Sequence, residues 1–355
     1  LAGASRYCEQ AVVVSDPLIE RHEFMADLER VARDLGADVL IPVTDPSLLA
    51  VLPEPKRFAA RIPFPAADAF TAISSKSVVA DRASEVDIEH PRQAIVYSAG
   101  EALERVDREL YPVVVKPHRS VVGTGRDRVK VSVAYAHTPT ELLETLRGLA
   151  PAVFPVLVQQ RILGPGVGIF LLLWDGEVRA TFAHRRIREK PPSGGVSVYR
   201  ESIVPPPDLV ERSTALLRAF DWRGVAMVEY KVDERTGTPY LMEVNGRFWG
   251  SLQLAIDAGV DFPRLLLEAA EGIGGAGPPR YRIGVRTRWL LGDLDHLWGR
   301  LKPGGDQDLP PGAPSRLRTA LQVAIPWKPG DRTEVFRPSD PLPFLRESLQ
   351  WWTGR

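Results

Sequence analysis

Two apolar runs, Val225–Val232 and Pro239–Val244, flank the turn-forming stretch Asp233-Glu234-Arg235-Thr236-Gly237-Thr238. They read as a β-hairpin, and its register constrains more of this chain than any other segment. With the hairpin symmetric about Thr236, Glu229 lies opposite Glu243. Directly opposed residues share one face, with Cβ atoms about 5 Å apart. Asn245 lies two residues beyond Glu243 and faces the same way. Two carboxylates and an amide oxygen therefore meet on one patch. Opposed like charges destabilise a ladder, so the pattern asks for a cation. All-oxygen donors suit Mg²⁺, a common companion of nucleotide phosphates. An exposed hairpin with two unrelated glutamates is the plainer alternative.

The rest of the chain is also read by its periodicity. In the first seventy residues Ala11–Val14 reads as a buried strand and Glu23–Leu35 as an amphipathic helix. Asp38–Val43 is a second β-rich run, and such alternation predicts a parallel sheet with crossover helices. The chain opens on Leu1, within Leu1–Arg6, which reads as a strand end. A first strand and helix are expected to precede it, with a trimmed terminus weighing equally. A helix follows over Ser75–Ala83, then strands at Gln93–Tyr97 and Tyr111–Lys116, a loop over Pro117–Gly125 and a strand at Arg128–Val133. Thr138 or Thr140 caps a helix over Glu141–Leu149, and Val156–Ile162 is a strand. Ile169–Trp174 and Glu177–Ala183 form a hairpin across Asp175-Gly176, a type I′ signal. His184–Ser197 reads as a polar loop and Leu209–Phe220 as a helix. Five of the eight tryptophans lie in the last eighty residues, which are broken by Pro278-Pro279 and Pro310-Pro311.

Composition excludes several classes. A length of 355 residues gives two or three domains or subdomains at about 150 residues each. Acids and bases balance at 45 each, so no overall field attracts nucleic acid or an anionic membrane. The single cysteine, Cys8, excludes an intramolecular disulfide framework and a thiolate zinc site. The six histidines form no HExxH pair. The longest apolar runs are too short for a membrane span, and there is no signal-peptide pattern. The expectation is a soluble, cytoplasmic protein.

Only eight of the 45 basic residues are lysines, so each one carries information. Lys116 ends the strand Val113-Val114-Val115, before a small-residue loop from His118 to Gly125. An ammonium and backbone N–H groups there can hold a phosphate. Lys76 lies near a helix start, where the dipole also favours anions. Each lysine taken alone is equally a solvated surface charge. Neither G-x-x-x-x-G-K-[ST] nor G-x-G-x-x-G after a strand is present.

From Ala37 to Gly272 the order of these pieces resembles the ATP-grasp superfamily. The resemblance rests on Ser74-Ser75-Lys76-Ser77, on Tyr111–Pro117, on Val158–Gly164, and on Glu229 followed by Glu243-Val244-Asn245-Gly246-Arg247. It implies an α/β (α+β) ATP-grasp fold with a Rossmann-like N-terminal domain over 1–72. The ATP-grasp domain would cover 73–275, divided into a linker and small ATP-binding subdomain (73–163) and a large antiparallel subdomain (164–275). A Trp-rich C-terminal extension would fill 276–355. The resemblance assigns ATP phosphates to Lys76 and Lys116, with His118 and Ser120 in the phosphate loop. It assigns adenine to the backbone of Gln160, Arg161 and Ile162. Mg²⁺, or Mn²⁺ as the alternative, falls to Glu229, Glu243 and Asn245. The transferring phosphoryl group falls to Arg247. The run His184–Glu189 with Ser193–Ser197 resembles the basic strand and mobile loop beside the γ-phosphate in carbamoyl-phosphate-synthetase-like and biotin-carboxylase-like members. Arg186 or Arg188 would then hold a carboxylate or acyl phosphate; a solvated loop is the alternative.

There are departures from the pattern. No acid follows the adenine segment to hold ribose, because that stretch is Gly164-Pro165-Gly166-Val167-Gly168. Position 160 is glutamine, and the phosphate loop carries His118 and Arg119. The stretch Asn245–Ser251 is closer to amino-acid-specific ligases related to biotin carboxylase. The resemblance thus implies an ATP-dependent ligase that activates a small carboxylic acid as an acyl phosphate and passes it to an amine, or to a thiol or hydroxyl. A bicarbonate-dependent carboxylase and a non-catalytic ATP-binding module are the competing readings. Arg282, Arg286 and Arg288 could line an acceptor pocket or belong to a lid that packs tryptophans on the core, and Thr44-Asp45 could face the substrate. Expected partners are the small acid and amine, with no nucleic acid or membrane, and a homodimer as the default assembly.

Overall fold

The computed structural model describes residues 1–355 except 118–120, 123–128, 131–132, 274–276, 307, 311, 326–327 and 355, and the side chains of 117, 121–122 and 129–130. The described chain is mixed α/β and divides into two compact units. One comprises Leu1–Ile88, Pro165–Tyr230 and Glu243–Arg355; the other comprises Glu89–Gly164 and Lys231–Met242. No helix among the described residues is long and apolar enough to cross a membrane.

The first unit begins with four helices, α1 (Arg21–Asp34), α2 (Asp45–Val51), α3 (Ala67–Ile73) and α4 (Lys76–Glu85). Phe24 and Met25 of α1 pack on Ala50, Val51 and Phe58. The Thr44 side chain accepts from Ser47 N, and Ser47 caps back, which fixes the start of α2. The parallel sheet expected here does not form among the described residues. Ala11–Val14 is not a strand, and Val13 is 94% exposed. Asp38–Val43 is reduced to one parallel bridge, Val39 to Arg61. A strand needs neighbours for its backbone groups; among the described residues Ala11–Val14 pairs with no strand and Asp38–Val43 pairs only at that bridge. Leu1–Arg6 likewise holds a short 3₁₀ turn (Ala2–Ala4), tied to the far end of the chain by Ser5 Oγ donating to Asp340 Oδ2.

The second unit follows, with β1 (Gln93–Val96), α5 (Ala102–Arg105), β2 (Val113–Pro117), β3 (Val121–Val122), β4 (Val129–Lys130), β5 (Ala134–Ala136), α6 (Pro139–Arg147) and β6 (Val156–Gln160). Its sheet runs β1-β6-β2-β5 and is antiparallel throughout. Thr138 caps α6 by accepting from Glu141 N, and Leu142 and Leu146, one turn apart, fill the core with Val113, Val115, Val156 and Val158.

The first unit resumes with β7 (Gly166–Trp174), β8 (Glu177–Lys190), β9 (Val196–Ser202), α7 (Pro207–Arg218), β10 (Gly224–Val232), β11 (Pro239–Asn245), α8 (Leu252–Ala258), α9 (Phe262–Ala270), β12 (Arg286–Arg288), α10 (Leu290–Leu301), α11 (Arg316–Ala324), β13 (Asp331–Thr333) and α12 (Leu342–Thr353). A seven-stranded sheet runs β11-β10-β7-β8-β9-β12-β13. Asp175 and Gly176 both have positive φ, 51° and 79°, as a type I′ turn between β7 and β8 requires.

Two sequence expectations change in this sheet. Most of the polar loop expected over His184–Ser197 is strand: β8 continues to Lys190 and β9 starts at Val196. Arginines in this stretch are paired inside the sheet, so polarity here does not mark a loop. The segment after residue 275 is also built into the fold, since β12 pairs with β9 and β13 extends the sheet. Its tryptophans do not all pack inward. Trp298 and Trp352 are 65% and 83% exposed, and Trp289 donates to Glu347; Trp327 lies outside the described residues.

Candidate active site

Glu229 comes from β10, and Glu243 and Asn245 come from its neighbour β11. The turn closes with Asp233 N donating to Thr238 O at 2.8 Å, half a residue before the symmetric centre at Thr236. What brings the two acids together is therefore best read from their partners. Arg186 of β8 donates to Glu229 and, at 2.9 Å, to Glu189, and the charge of Glu243 also bears on it. Burial opposes the charge on Arg186, but Glu229 and Glu189 outweigh it and hold its pKa above the ordinary guanidinium value.

Arg186 reaches β10 because β7, the strand between, has no side chain in the way. A Cβ on Gly166 would meet Arg186 Cδ at 2.7 Å. Gly168 does the same for the next inward residue, since a Cβ there would meet His184 Nε2 at 2.9 Å. The Gly164–Gly168 stretch thus gives two arms from β8 their path. His184 is buried, edge-on to Phe170 at 4.7 Å, and neither ring nitrogen has a partner in the described structure. Burial, and then the charges of Arg186 and Arg200, push its pKa well below the ordinary histidine value.

A second chain of bonds starts at Glu243. Asn245 Nδ2 donates to Glu243 Oε1 at 2.9 Å, and its Oδ1 accepts from Arg247 Nη2 at 3.2 Å. Arg247 Nε donates to Asp45 Oδ2 at 2.9 Å, and Nη1 to Phe248 O at 3.1 Å. Asp45 opens α2, so the N-terminal segment reaches this cluster through an ion pair. Gly246 leaves room for Trp222, whose ring a Cβ would meet at 2.3 Å. Two carboxylates and one amide oxygen form a hard donor set, and a guanidinium now supplies the positive charge beside them. That chemistry fits Mg²⁺. Among the described residues no group of three His, Cys, Asp or Glu side chains converges.

The other arginine singled out in the strand, Arg188, has a different setting. Its Nε and Nη2 donate to both oxygens of Asp293 of α10 at 2.6 Å each. Arg288 Nε also donates to Asp293, at 2.9 Å, and all three side chains are buried. Arg188 and Arg288 are thereby joined to one acid and lie over Tyr199 at 4.6 and 5.4 Å. The structure gives Arg186 to the acid pair and Arg188 to the scaffold.

Lys76 is the first residue of α4 and is exposed. In the second unit Lys116 Nζ donates to Gln159 Oε1 at 2.6 Å, and Gln159 Nε2 donates to Gln93 Oε1 at 3.1 Å. Gln160 N and Arg161 N are committed to Arg92 O (2.8 Å) and Pro112 O (3.0 Å). Arg161 also stacks over Tyr135 at 4.5 Å. Ile162 is buried, and among the described residues nothing accepts from its N–H. His118 and Ser120 lie outside the described residues. Sequence reasoning did not single out Glu189, Gly166 or Asp293. Each acts through another residue, and only the acid–base spacing around Arg186 and Arg188 hinted at them.

Residues 153–292 match the family described as ATP-grasp in the biosynthetic pathway with Ter operon. Among curated proteins none matches the chain. Among solved structures it is similar to L-amino acid ligase from Bacillus licheniformis, at 20% identity and a TM-score of 0.55 over 70% of this chain and 60% of that one. It is similar to biotin carboxylase from Campylobacter jejuni in a β-γ-ATP complex, at 16% identity and a TM-score of 0.60 over 74% and 60%. A third is the biotin carboxylase domain dimer of Hydrogenobacter thermophilus 2-oxoglutarate carboxylase, in complex with MgADP, ADP and bicarbonate, at 16% identity and a TM-score of 0.60 over 75% and 61%. The chain spans less than two thirds of the length of each.

Proposed function

The chain carries the ATP-grasp fold and, over residues 153–292, an ATP-grasp family match, and from that premise we propose that it is an ATP-dependent carboxylate–amine ligase. The observation that carries this reading is the linked cluster Glu189–Arg186–Glu229 and Glu243–Asn245–Arg247–Asp45. It combines a hard-oxygen donor set with two arginines able to face anions.

Glu229, Glu243 and Asn245 would hold Mg²⁺. When bound, the metal supplies positive charge that neutralises and orients the ATP phosphates. Lys76 and Lys116 contact phosphate oxygens, with His118 and Ser120 in the loop beside them. Gln160, Arg161 and Ile162 form the adenine edge. Because the Gln160 and Arg161 N–H groups are spent within the unit, the carbonyls and the Ile162 N–H read the base. Arg186 orients the acid, and Arg247, held in place by Asp45 and Asn245, steadies the transferring phosphoryl group. An oxygen of the substrate carboxylate attacks the γ-phosphorus, the bond to the β–γ bridging oxygen breaks, and ADP leaves. The amine nitrogen then attacks the acyl carbon, loses a proton and expels phosphate. No nucleophilic side chain is needed. The protein acts in the cytoplasm.

ADP release from Mg-ATP, measured across amino acids, hydroxy acids and bicarbonate with and without an amine or hydroxylamine, tests this reading. Turnover that requires one organic acid, with a trapped hydroxamate and a loss of at least about 10²-fold in Asn245→Ala, supports it. Turnover with bicarbonate alone points to a carboxylase. ATP binding without turnover by any acid points to a binding module.

A further inference from the structure

Arg186 meets three acids. Its Nη2 donates to Glu229, its Nη1 donates to Glu189 Oε1 at 2.9 Å, and the charge of Glu243 also bears on it. Nη1 donates as well to Gly195 O at 3.0 Å. The Arg186, Glu189 and Glu229 side chains are 12%, 15% and 11% exposed, so solvent and salt screen these contacts little. Two of the acceptors are local: Glu189 ends the strand that carries Arg186, and Gly195 follows it before β9. Only Glu229 belongs to another part of the sheet, and the bond to it crosses β7 over Gly166. The local anchor is built by the strand itself. The β8–β9 ladder slips between Arg186 and Arg188 and again between Arg188 and Glu189. Residues three apart on a regular strand face opposite ways, and these bulges turn Glu189 to the side of Arg186. Arg185 turns to the other face and donates to Glu201 at 2.8 Å.

Arg186 thus has two distinct anchorages. One stays with its own hairpin, and the other holds a carboxylate of the donor set that fits Mg²⁺. A guanidinium and a divalent cation on one carboxylate repel each other, and burial leaves that repulsion strong. We propose that Arg186 and Mg²⁺ compete for Glu229, so that metal binding moves Arg186 back onto Glu189 and the Gly195 carbonyl and frees its Nη2 for the substrate acid. A buried pair is hard to break because each charge is left uncompensated. Here Glu189 removes that cost on the arginine side, and Mg²⁺ removes it on the Glu229 side. The cation that completes the donor set therefore also releases the arginine, and metal binds before acid. The role of the freed Nη2 rests on the ligase reading; the competition for Glu229 rests only on the acid pair and its arginine.

The test is metal binding without ATP or acid, with Mn²⁺ followed by EPR titration and Mg²⁺ by thermal shift. Arg186→Gln removes the competitor. Gly166→Ala keeps every charge but lifts the competitor, since a Cβ there would meet Arg186 Cδ at 2.7 Å. Mn²⁺ should bind about 10-fold more tightly to R186Q and about 5-fold more tightly to G166A than to the parent, a usual size for coupling between sites. Arg185→Gln removes an equal charge one residue away, but that side chain is 57% exposed and on the other face, so its effect should stay within about two-fold. By reciprocity, saturating Mg²⁺ should shrink the cost of R186Q in urea unfolding by the same factor in the unfolding constant. G166A remains readable if R186Q folds poorly. A missing gain in either variant, a gain that R185Q matches, or no Mn²⁺ binding at all overturns the proposal. ADP release with one acid, alongside metal affinity indifferent to both variants, overturns it while leaving the ligase intact. The expected gains with no ADP release from any acid support the competition and sink the ligase.

Discussion

Replacing Gly166 with alanine tests whether Arg186 needs an empty track across β7. The backbone of Gly166 is not in the left-handed region, so nothing in its conformation demands glycine. In an unobstructed strand the change would stabilise the protein by about 0.4–1 kcal/mol, through the lower entropy of the unfolded chain. Here the new methyl would stand 2.7 Å from Arg186 Cδ and 3.3 Å from its Cγ and Nε. Relief requires the guanidinium to lift, which loosens its pair with Glu229. The two side chains are 12% and 11% exposed, so the pair is buried. Removing one partner of a buried pair costs about 3–5 kcal/mol. A displaced Arg186 keeps Glu189 and the Gly195 carbonyl within reach, so about half that cost is expected, ~2 kcal/mol. Net of the entropic gain, Gly166→Ala should lose about 1–2 kcal/mol. Urea unfolding would show this as a lower midpoint with an unchanged slope. In an Arg186→Ala background the obstruction is gone, and the same methyl should be neutral or stabilising. A coupling energy of at least ~1 kcal/mol between the two positions is therefore expected. A Gly166→Ala protein as stable as the parent, or an additive cycle, would refute the crossing.

Two further outcomes rest on buried charge. His184 stays neutral in the folded protein, because burial holds its pKa well below 6.5, while the unfolded chain takes up a proton near that value. Stability from this group is complete above the unfolded pKa and falls as the solution is acidified, by about 1.4 kcal/mol between pH 7.5 and 5.5. His184→Leu should remove that increment from the pH dependence of urea unfolding, and an unchanged slope would contradict it. Asp293→Asn should leave Arg188 and Arg288 without their shared carboxylate and cost about 3–5 kcal/mol in unfolding free energy. A loss below about 1 kcal/mol would mean that the buried pair contributes little.

What could be read from the sequence was what periodicity and turn chemistry encode locally. The Asp175-Gly176 turn, the amphipathic helix α6 and the antiparallel pairing of β10 and β11 each come from a few adjacent residues. The expectation that Glu229, Glu243 and Asn245 form one patch came from the hairpin, which ties sequence spacing to one face. Arg186 was legible only as one of two candidates, since a strand with a bulge between 186 and 188 breaks the alternation that would separate them. The N-terminal runs misled because Ala11–Val14 is apolar enough for a strand but has no partner strand. Local pattern states what a segment could pair with, and only the sheet decides whether the partner exists. The 184–197 stretch misled in the opposite sense. Its arginines look solvated until Glu229 and Asp293 arrive from far along the chain to pair with Arg186 and Arg188.

Long-range pairing also gives the last eighty residues a place in the sheet. Read alone, they are a tryptophan-rich segment with proline breaks. In the sheet, β12 pairs with β9 in the register that puts Arg286 beside Glu201, and α10 delivers Asp293 to Arg188 on β8. Arg185 and Arg286 donate to the two oxygens of Glu201, and no boundary at residue 275 would retain the second of them. A chain ending there would keep Glu229, Glu243, Asn245 and Arg186 but would strip Glu201 of one of its two arginines and Arg188 of its buried acid. The acid pair with its arginine and the Arg185–Glu201–Arg286 row are thus separable in sequence. β8 serves both from consecutive residues, and because side chains alternate across a strand, Arg186 turns to Glu229 on one face and Arg185 to Glu201 on the other.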